Sequence, residues 1–274
     1  MSAAEVLFRE QTPQSLEALR QALRLRIPAG SVHLVAVAPI RHVVHAELIG
    51  EILRTAEESL RLALADVGGE TARVVEGDVT QGLLSEIARE RATLVALGIK
   101  GHSRAAGIYL GSTTTALLRK APCSVLVARP AAQPDSFPRR IVLGLDGSPQ
   151  SFSAAGVARD LVERFGAELQ ALAALRGKPI DADRLALQAS ELGLQPERVE
   201  RPPTDALVAA SSAADLLVVG SRGLHGLRSL GSVSERVAHR GRCSVLVVRT
   251  PTPARQAISA HPSATEPRTS LDEA

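Results

Sequence analysis

Two α/β domains on a Rossmann-like scaffold are the fold this sequence predicts, and three observations predict it. Short Val/Leu/Ile-rich runs alternate with longer stretches of helical periodicity, which is the pattern of βαβ units around a buried parallel sheet. That pattern occurs twice in 274 residues, so the length divides into two domains of ordinary size. Hydrophobic residues make up 45% of the chain and aromatics only 2%, so aliphatic side chains must build both cores.

The repeat is visible at three places. Ala121-Pro-Cys-Ser-Val-Leu-Val-Ala-Arg129 returns as Gly241-Arg-Cys-Ser-Val-Leu-Val-Val-Arg249, an offset of 120. Leu94-Val-Ala-Leu-Gly98-Ile-Lys-Gly101 returns as Leu216-Leu-Val-Val-Gly220-Ser-Arg-Gly223, and Pro13-Gln-Ser15 as Pro149-Gln-Ser151, at offsets of 122 and 136. The second copy is therefore 14 residues shorter between its first and fourth strands, and two shorter before its last helix.

Strands are expected near residues 5–9, 31–38, 72–76, 93–98 and 123–128, then 141–146, 168–174, 197–200, 215–220 and 243–248. The clearest helix spans about 45–66, where Leu48, Ile52, Ala56, Leu60 and Leu64 recur at a spacing of four on one face. Its counterpart near 181–192 is much shorter and absorbs most of the deletion. The expected organisation is a first domain over 1–130, a linker over 131–139 containing Pro134 and Pro138, a shortened second domain over 140–250, and a disordered tail over 251–274 rich in Pro, Ser, Thr and Ala. The two fifth strands are expected near a pseudo-twofold axis, because an unpaired apolar edge invites pairing.

Charge and patterning exclude several functions. The net charge is only +3 from 32 basic and 29 acidic residues, with no basic run interleaved with aromatics, which argues against nucleic acid. The longest apolar runs are strand-sized and no charged segment leads into an apolar one at the N-terminus, so a cytoplasmic protein with no membrane partner is expected. Cys123 and Cys243 open equivalent strands and are expected to be reduced core thiols.

The chemistry sits at the ends of the fourth strands. Gly98-Ile-Lys-Gly101 is followed after nine residues by Gly111-Ser112-Thr113 at the head of a helix. Glycines after a buried strand let backbone approach a ligand, and the free N–H groups of a helix N-terminus beside hydroxyls form a phosphate cradle. Such a site lies at the carboxyl ends of the strands, where open α/β sheets bind ligands. The competing explanation is structural: the glycines as turns and helix C-caps, and Ser112 and Ser232 as N-caps. His42 and His45 lack an evident third metal ligand and read as solvated polar residues, and His102 and His225 read as loop histidines after the glycine turns. No Ser-His-Asp, Cys-His or paired-carboxylate arrangement stands at recognisable spacing, so no catalytic residue is assigned.

Glycine, two residues, glycine, nine residues, glycine-serine resembles the nucleotide signature of the universal stress protein family, and the opening of the second copy, Ile141-Val-Leu-Gly-Leu-Asp146-Gly-Ser-Pro-Gln150, resembles that family's first strand and acidic turn. The resemblance implies a five-stranded parallel sheet of order 3-2-1-4-5 in each domain, an intrachain pseudo-dimer with homodimerisation of the whole chain left open, and a role in stress survival with an unidentified protein partner. It also implies bound ATP, with Mg in many members. By position, it assigns Gly98, Gly101, Gly111, Ser112 and Thr113 to phosphates in the first copy, and Gly220, Gly223, Gly231 and Ser232 in the second. Asp146 takes the ribose and metal end, and backbone near Val37 or Ala174 meets the adenine. Neither copy is complete. The first has Glu10-Gln11-Thr12 where the second has Asp146-Gly147-Ser148, and the second has only seven residues between Gly223 and Gly231. The resulting expectation is a regulatory module binding an adenine nucleotide, more tightly in the first copy, with at most slow hydrolysis. The alternative is an interaction scaffold with degenerate sites that binds no nucleotide.

Overall fold

The computed structural model describes residues 3–7, 12–26, 30–38, 46–67, 71–99, 110–174, 182–221 and 231–249. The expected tail over 251–274 lies outside them, as do Glu10, Gln11, His42, His45, Gly101, His102, Gly223 and His225.

The first half runs β1 (Ala3–Leu7), α1 (Pro13–Leu25), β2 (Ser31–Ala38), α2 (Ala46–Val67), β3 (Thr71–Glu76), α3 (Val79–Arg89), β4 (Leu94–Gly98), α4 (Ser112–Lys120) and β5 (Ser124–Ala128). The second runs β6 (Arg140–Leu145), α5 (Pro149–Phe165), β7 (Glu168–Ala174), α6 (Ala182–Glu191), β8 (Glu197–Val199), α7 (Pro203–Ala210), β9 (Leu216–Gly220), α8 (Ser232–Arg240) and β10 (Ser244–Val248). All ten strands form one sheet in the order β3-β2-β1-β4-β5-β10-β9-β6-β7-β8. Each half is parallel with order 3-2-1-4-5, as the family resemblance implies.

Local chemistry sets the helix boundaries. Thr12 caps α1 through a reciprocal pair with Ser15, Asp78 caps α3 by accepting from the Gln81 N–H, and Ser148 caps α5 ahead of Pro149. At the other end of α5, Gly166 ends the helix at φ 63°, a left-handed cap that favours glycine. Helix α2 has 22 residues and α6 only 10, which accounts for most of the deletion in the second copy.

One expectation fails within α2. Ala56, Leu60 and Ala63 are buried, whereas Leu48 is 46% exposed. A strict spacing of four advances 400° per step and drifts about 40° each time, so a row that starts on the core face at Leu60 has rotated off it three steps earlier. The buried face follows the helical period instead.

Because the sheet is covered on both sides, its strands are apolar on both faces. Leu94 and Ala96 of β4 join one core layer with Leu19 of α1, Leu60 of α2, Ala155 of α5 and Leu185 of α6. Val95 and Leu97 join the other with Leu83 of α3, Leu117 of α4, Leu207 of α7 and Val237 of α8. Both layers run unbroken through the two halves.

The seam is the antiparallel pair β5–β10, with Val245 opposite Val127 and Val247 opposite Val125, so the fifth strands meet as expected. Its polar groups are exchanged reciprocally. The Arg129 N–H donates to Ser244 Oγ at 3.0 Å, and the Arg249 N–H to Ser124 Oγ at 3.1 Å. The Arg129 guanidinium donates to the Ala238 carbonyl near the end of α8, and Arg249 Nη2 donates to the Leu118 carbonyl near the end of α4. Each half thus places a cation at the negative end of the other half's last helix. Cys123 and Cys243 are buried free thiols, as expected.

Candidate functional site

Strand β6 lies between β7 and β9, so the chain leaves it in opposite directions at its carboxyl end and opens a crevice there. The turn that follows is built by Asp146, whose Oδ1 accepts from the Ser148 N–H at 3.0 Å. Gly147 holds φ 75° in that turn, a conformation that disfavours a side chain.

Opposite, β9 ends at Gly220. A Cβ there would stand 2.4 Å from the Gln150 carbonyl oxygen, because the first turn of α5 rests on the strand end. Gly98 of β4 meets the Gln14 carbonyl at 2.3 Å in the same way. Strand–helix packing therefore accounts for glycine at both positions, the close approach known from dinucleotide-binding turns.

Helix α8 begins next to Gly220, tied there by Ser234 Oγ donating to the Gly220 carbonyl at 2.7 Å. Its N-cap is Gly231, and that of α4 is Gly111; neither makes a side-chain cap. Ser112 and Ser232 are the first helical residues, so the competing structural explanation, in which they are N-caps, does not hold: their hydroxyls sit one position too far along to reach the first-turn N–H groups from the cap. Glycine at 111 is not required by packing either, since a Cβ would find nothing within 4 Å.

These parts enclose a cavity of about 320 Å³ in the second half. Part of its wall is apolar, formed by Leu172, Ala174, Leu207 and Val219. Leu207 enters because Gly144 has no side chain; a Cβ there would stand 3.2 Å from its methyl carbons. Another part is polar, with Asp146, Ser148, Gly231, Ser232 and Glu235. Of the sequence-assigned residues, Asp146, Ala174, Gly220, Gly231 and Ser232 come together on this one cavity. Val37 and Gly98 end β2 and β4, while Gly111, Ser112 and Thr113 open α4, all at the carboxyl edge of the first half's sheet. Val37 is buried, and its Cγ1 would lie 3.3 Å from a Cβ on Gly82, so it packs towards α3.

Sequence reasoning missed Leu172, Leu207 and Glu235. The two leucines carried only the periodicity of core residues, with no motif to single them out. Glu235 stands in the first turn of α8 and reaches across the seam: Arg119 of α4 donates to its Oε1 from Nε at 3.0 Å and from Nη2 at 2.5 Å. Beside that pair, Thr115 and His239 approach at 3.5 Å. Burial lowers the His239 pKa from its ordinary value; Glu235 opposes the shift, and Arg119 and Arg129 reinforce it. Among the described residues, no three His, Cys, Asp or Glu side chains cluster as a metal site, and no helix is long and apolar enough to cross a membrane.

A doubly covered parallel sheet with a crevice at its switch point and a bare helix N-terminus defines the class of Rossmann-like ligand-binding folds. The family model for the universal stress protein family matches residues 10–129 and 184–249, and the chain belongs to that family. Its relatives include universal stress protein Rv1996 of Mycobacterium tuberculosis (strain ATCC 25618 / H37Rv), 31% identical over 244 residues, with 76% of this chain and 76% of that protein covered. Among solved structures, a universal stress protein from Archaeoglobus fulgidus DSM 4304 shares the fold at a TM-score of 0.74 and 22% identity, over 90% of this chain and 98% of that one. A universal stress protein solved in complex with cAMP is 33% identical, covering 41% of this chain and 97% of that one, at a TM-score of 0.33. The family match leaves out residues 130–183, the turn at Asp146 among them.

Proposed function

We propose that the chain is a cytoplasmic regulatory module of the stress response that binds an adenine nucleotide, ATP with a divalent ion, in the cavity of its second half. The observation that carries this is a single cavity whose wall combines apolar side chains with polar groups and a helix N-terminus without a side-chain cap. Leu172, Ala174, Leu207 and Val219 suit a base, Asp146 suits the ribose, and the first N–H groups of α8 beyond Gly231 and Ser232 suit phosphate. The size lies in the range of small-ligand sites, which begins at about 300 Å³. A magnesium ion needs one or two carboxylates, with phosphate oxygens and water completing its shell, and Asp146 fits that role. Loop length in the sequence favours the first copy, whereas the described geometry supports the second. Occupancy would act by biasing conformation or the choice of a protein partner.

The alternative, a scaffold without nucleotide, is favoured by one observation: an acidic residue, Glu235, lines the cavity in the first turn of α8, whose N-terminus phosphate would occupy. Calorimetric titration of ATP and cAMP with Mg into the full chain separates the two. Asp146→Ala should weaken ATP about tenfold, and Gly231→Val, which sets a branched side chain at the cap, should abolish binding in the second half. If the unaltered chain binds neither nucleotide, the scaffold stands. If Gly111→Val abolishes binding and Gly231→Val does not, the site belongs to the first half.

A further inference from the structure

We propose that Arg119, a residue of the first half, is the positioning residue that lets the second half's cavity accept a phosphorylated ligand, by holding the Glu235 carboxylate. The inference rests on the nucleotide reading above and extends it across the seam.

A carboxylate in the first turn of a helix is attracted by the helix's own positive end. Left to itself, Glu235 would compete with phosphate for that end of α8 and repel it. Arg119 counters this from outside the cavity, with its hydrogen bonds to Glu235, from Nε and Nη2, both going to the same oxygen, Oε1. Both bonds are charge-assisted, and together they hold that oxygen on the guanidinium. The partners are unequally exposed, at 59% for the arginine and 22% for the glutamate. Such an ion pair adds little to folding stability, so its effect belongs to ligand choice.

The repeat makes the arrangement one-sided. The offset of 120 relates Glu235 to Thr115 and Arg119 to His239, so the equivalent contact on the other side of the seam is the Thr115–His239 approach at 3.5 Å. Among the described residues, the second half alone has an acid at this turn, and the first half supplies a cation to hold it. Phosphate recognition in one half thereby depends on a side chain of the other.

The test titrates ATP and adenosine, each with Mg, into the full chain and into Arg119→Gln, Glu235→Gln and the double variant, after confirming equal thermal midpoints. Arg119→Gln should weaken ATP about tenfold while adenosine changes less than about twofold. Glu235→Gln should bind ATP more tightly than the unaltered chain, and the double variant should recover what Arg119→Gln loses. Equal losses of ATP and adenosine, an unchanged ATP affinity in Arg119→Gln, weaker ATP binding by Glu235→Gln, or no recovery in the double variant each overturns the proposal while leaving nucleotide binding intact. If the unaltered chain binds neither ATP nor adenosine, the nucleotide reading has failed and this inference with it.

Discussion

At the seam, burial pulls two neighbouring groups towards their neutral forms. It lowers the Arg129 pKa to about 10, with Cys243 opposing the shift, and it raises the Cys243 thiol from 9.0 to about 12, with Arg129 opposing. At neutral pH the arginine still carries the charge that caps α8, and the thiol is inert. The sign of the thiol's contribution follows from linkage. Its folded pKa is the higher, so its share of stability is complete below pH 9 and is lost as pH rises through 12. Arg129 acts the other way only from about pH 10 upward, so from 9 to 10 it does not offset the thiol. Urea unfolding there should show stability falling by about 1 kcal/mol more in the unaltered chain than in Cys243→Ala. Parallel curves for the two proteins would show that the thiol titrates alike in both states.

At the scale of the element, the strands were legible because each carries a short aliphatic run where the sheet is covered on both faces, as in the last five residues of β2 and the last four of β7. The runs at 31–38 and 168–174 agree with β2 and β7 to the residue. The exposed face of α2 was misjudged at Leu48, since a row spaced by four drifts off the helical period. The site was half legible. Asp146 and Gly220 announced themselves at strand ends and Gly231 at the head of a helix, but Leu172, Leu207 and Glu235 take their roles from tertiary placement that no local spacing encodes. The glycines show the same limit, because a strand-end glycine looks alike in sequence whether a ligand or a helix approaches it. Gly220→Ala should cost about 1–3 kcal/mol, since its Cβ would meet backbone of α5. Gly156→Ala, inside α5 with nothing within 4 Å, should add about 0.5–1 kcal/mol. Denaturant midpoints check both, and a neutral Gly220→Ala would show that the strand–helix contact relaxes freely.

Across the whole molecule, the two copies share one ten-stranded sheet, and what separates them functionally is small. The seam exchanges two serine hydroxyls and two arginines almost symmetrically, then departs from symmetry at Arg119–Glu235 and at Gln21. The Gln21 amide donates to Glu17 at 2.7 Å and to the Arg129 carbonyl at 2.7 Å, while its oxygen accepts from Ser244 at 2.7 Å. The position of Gln21 in the second copy is Val157, so this buried chain of hydrogen bonds exists on one side only. Two halves that arose as equivalents are thus fixed in different surroundings, and ligand binding is assigned to one of them. Photolabelling the full chain with 8-azido-ATP and mapping the modified peptide tests that assignment most directly. The label should fall on peptides carrying Leu172 and Ala174 or Leu207, and excess ATP should protect them. Protected label confined to the first half, around Val37, or label that ATP does not displace, would contradict it.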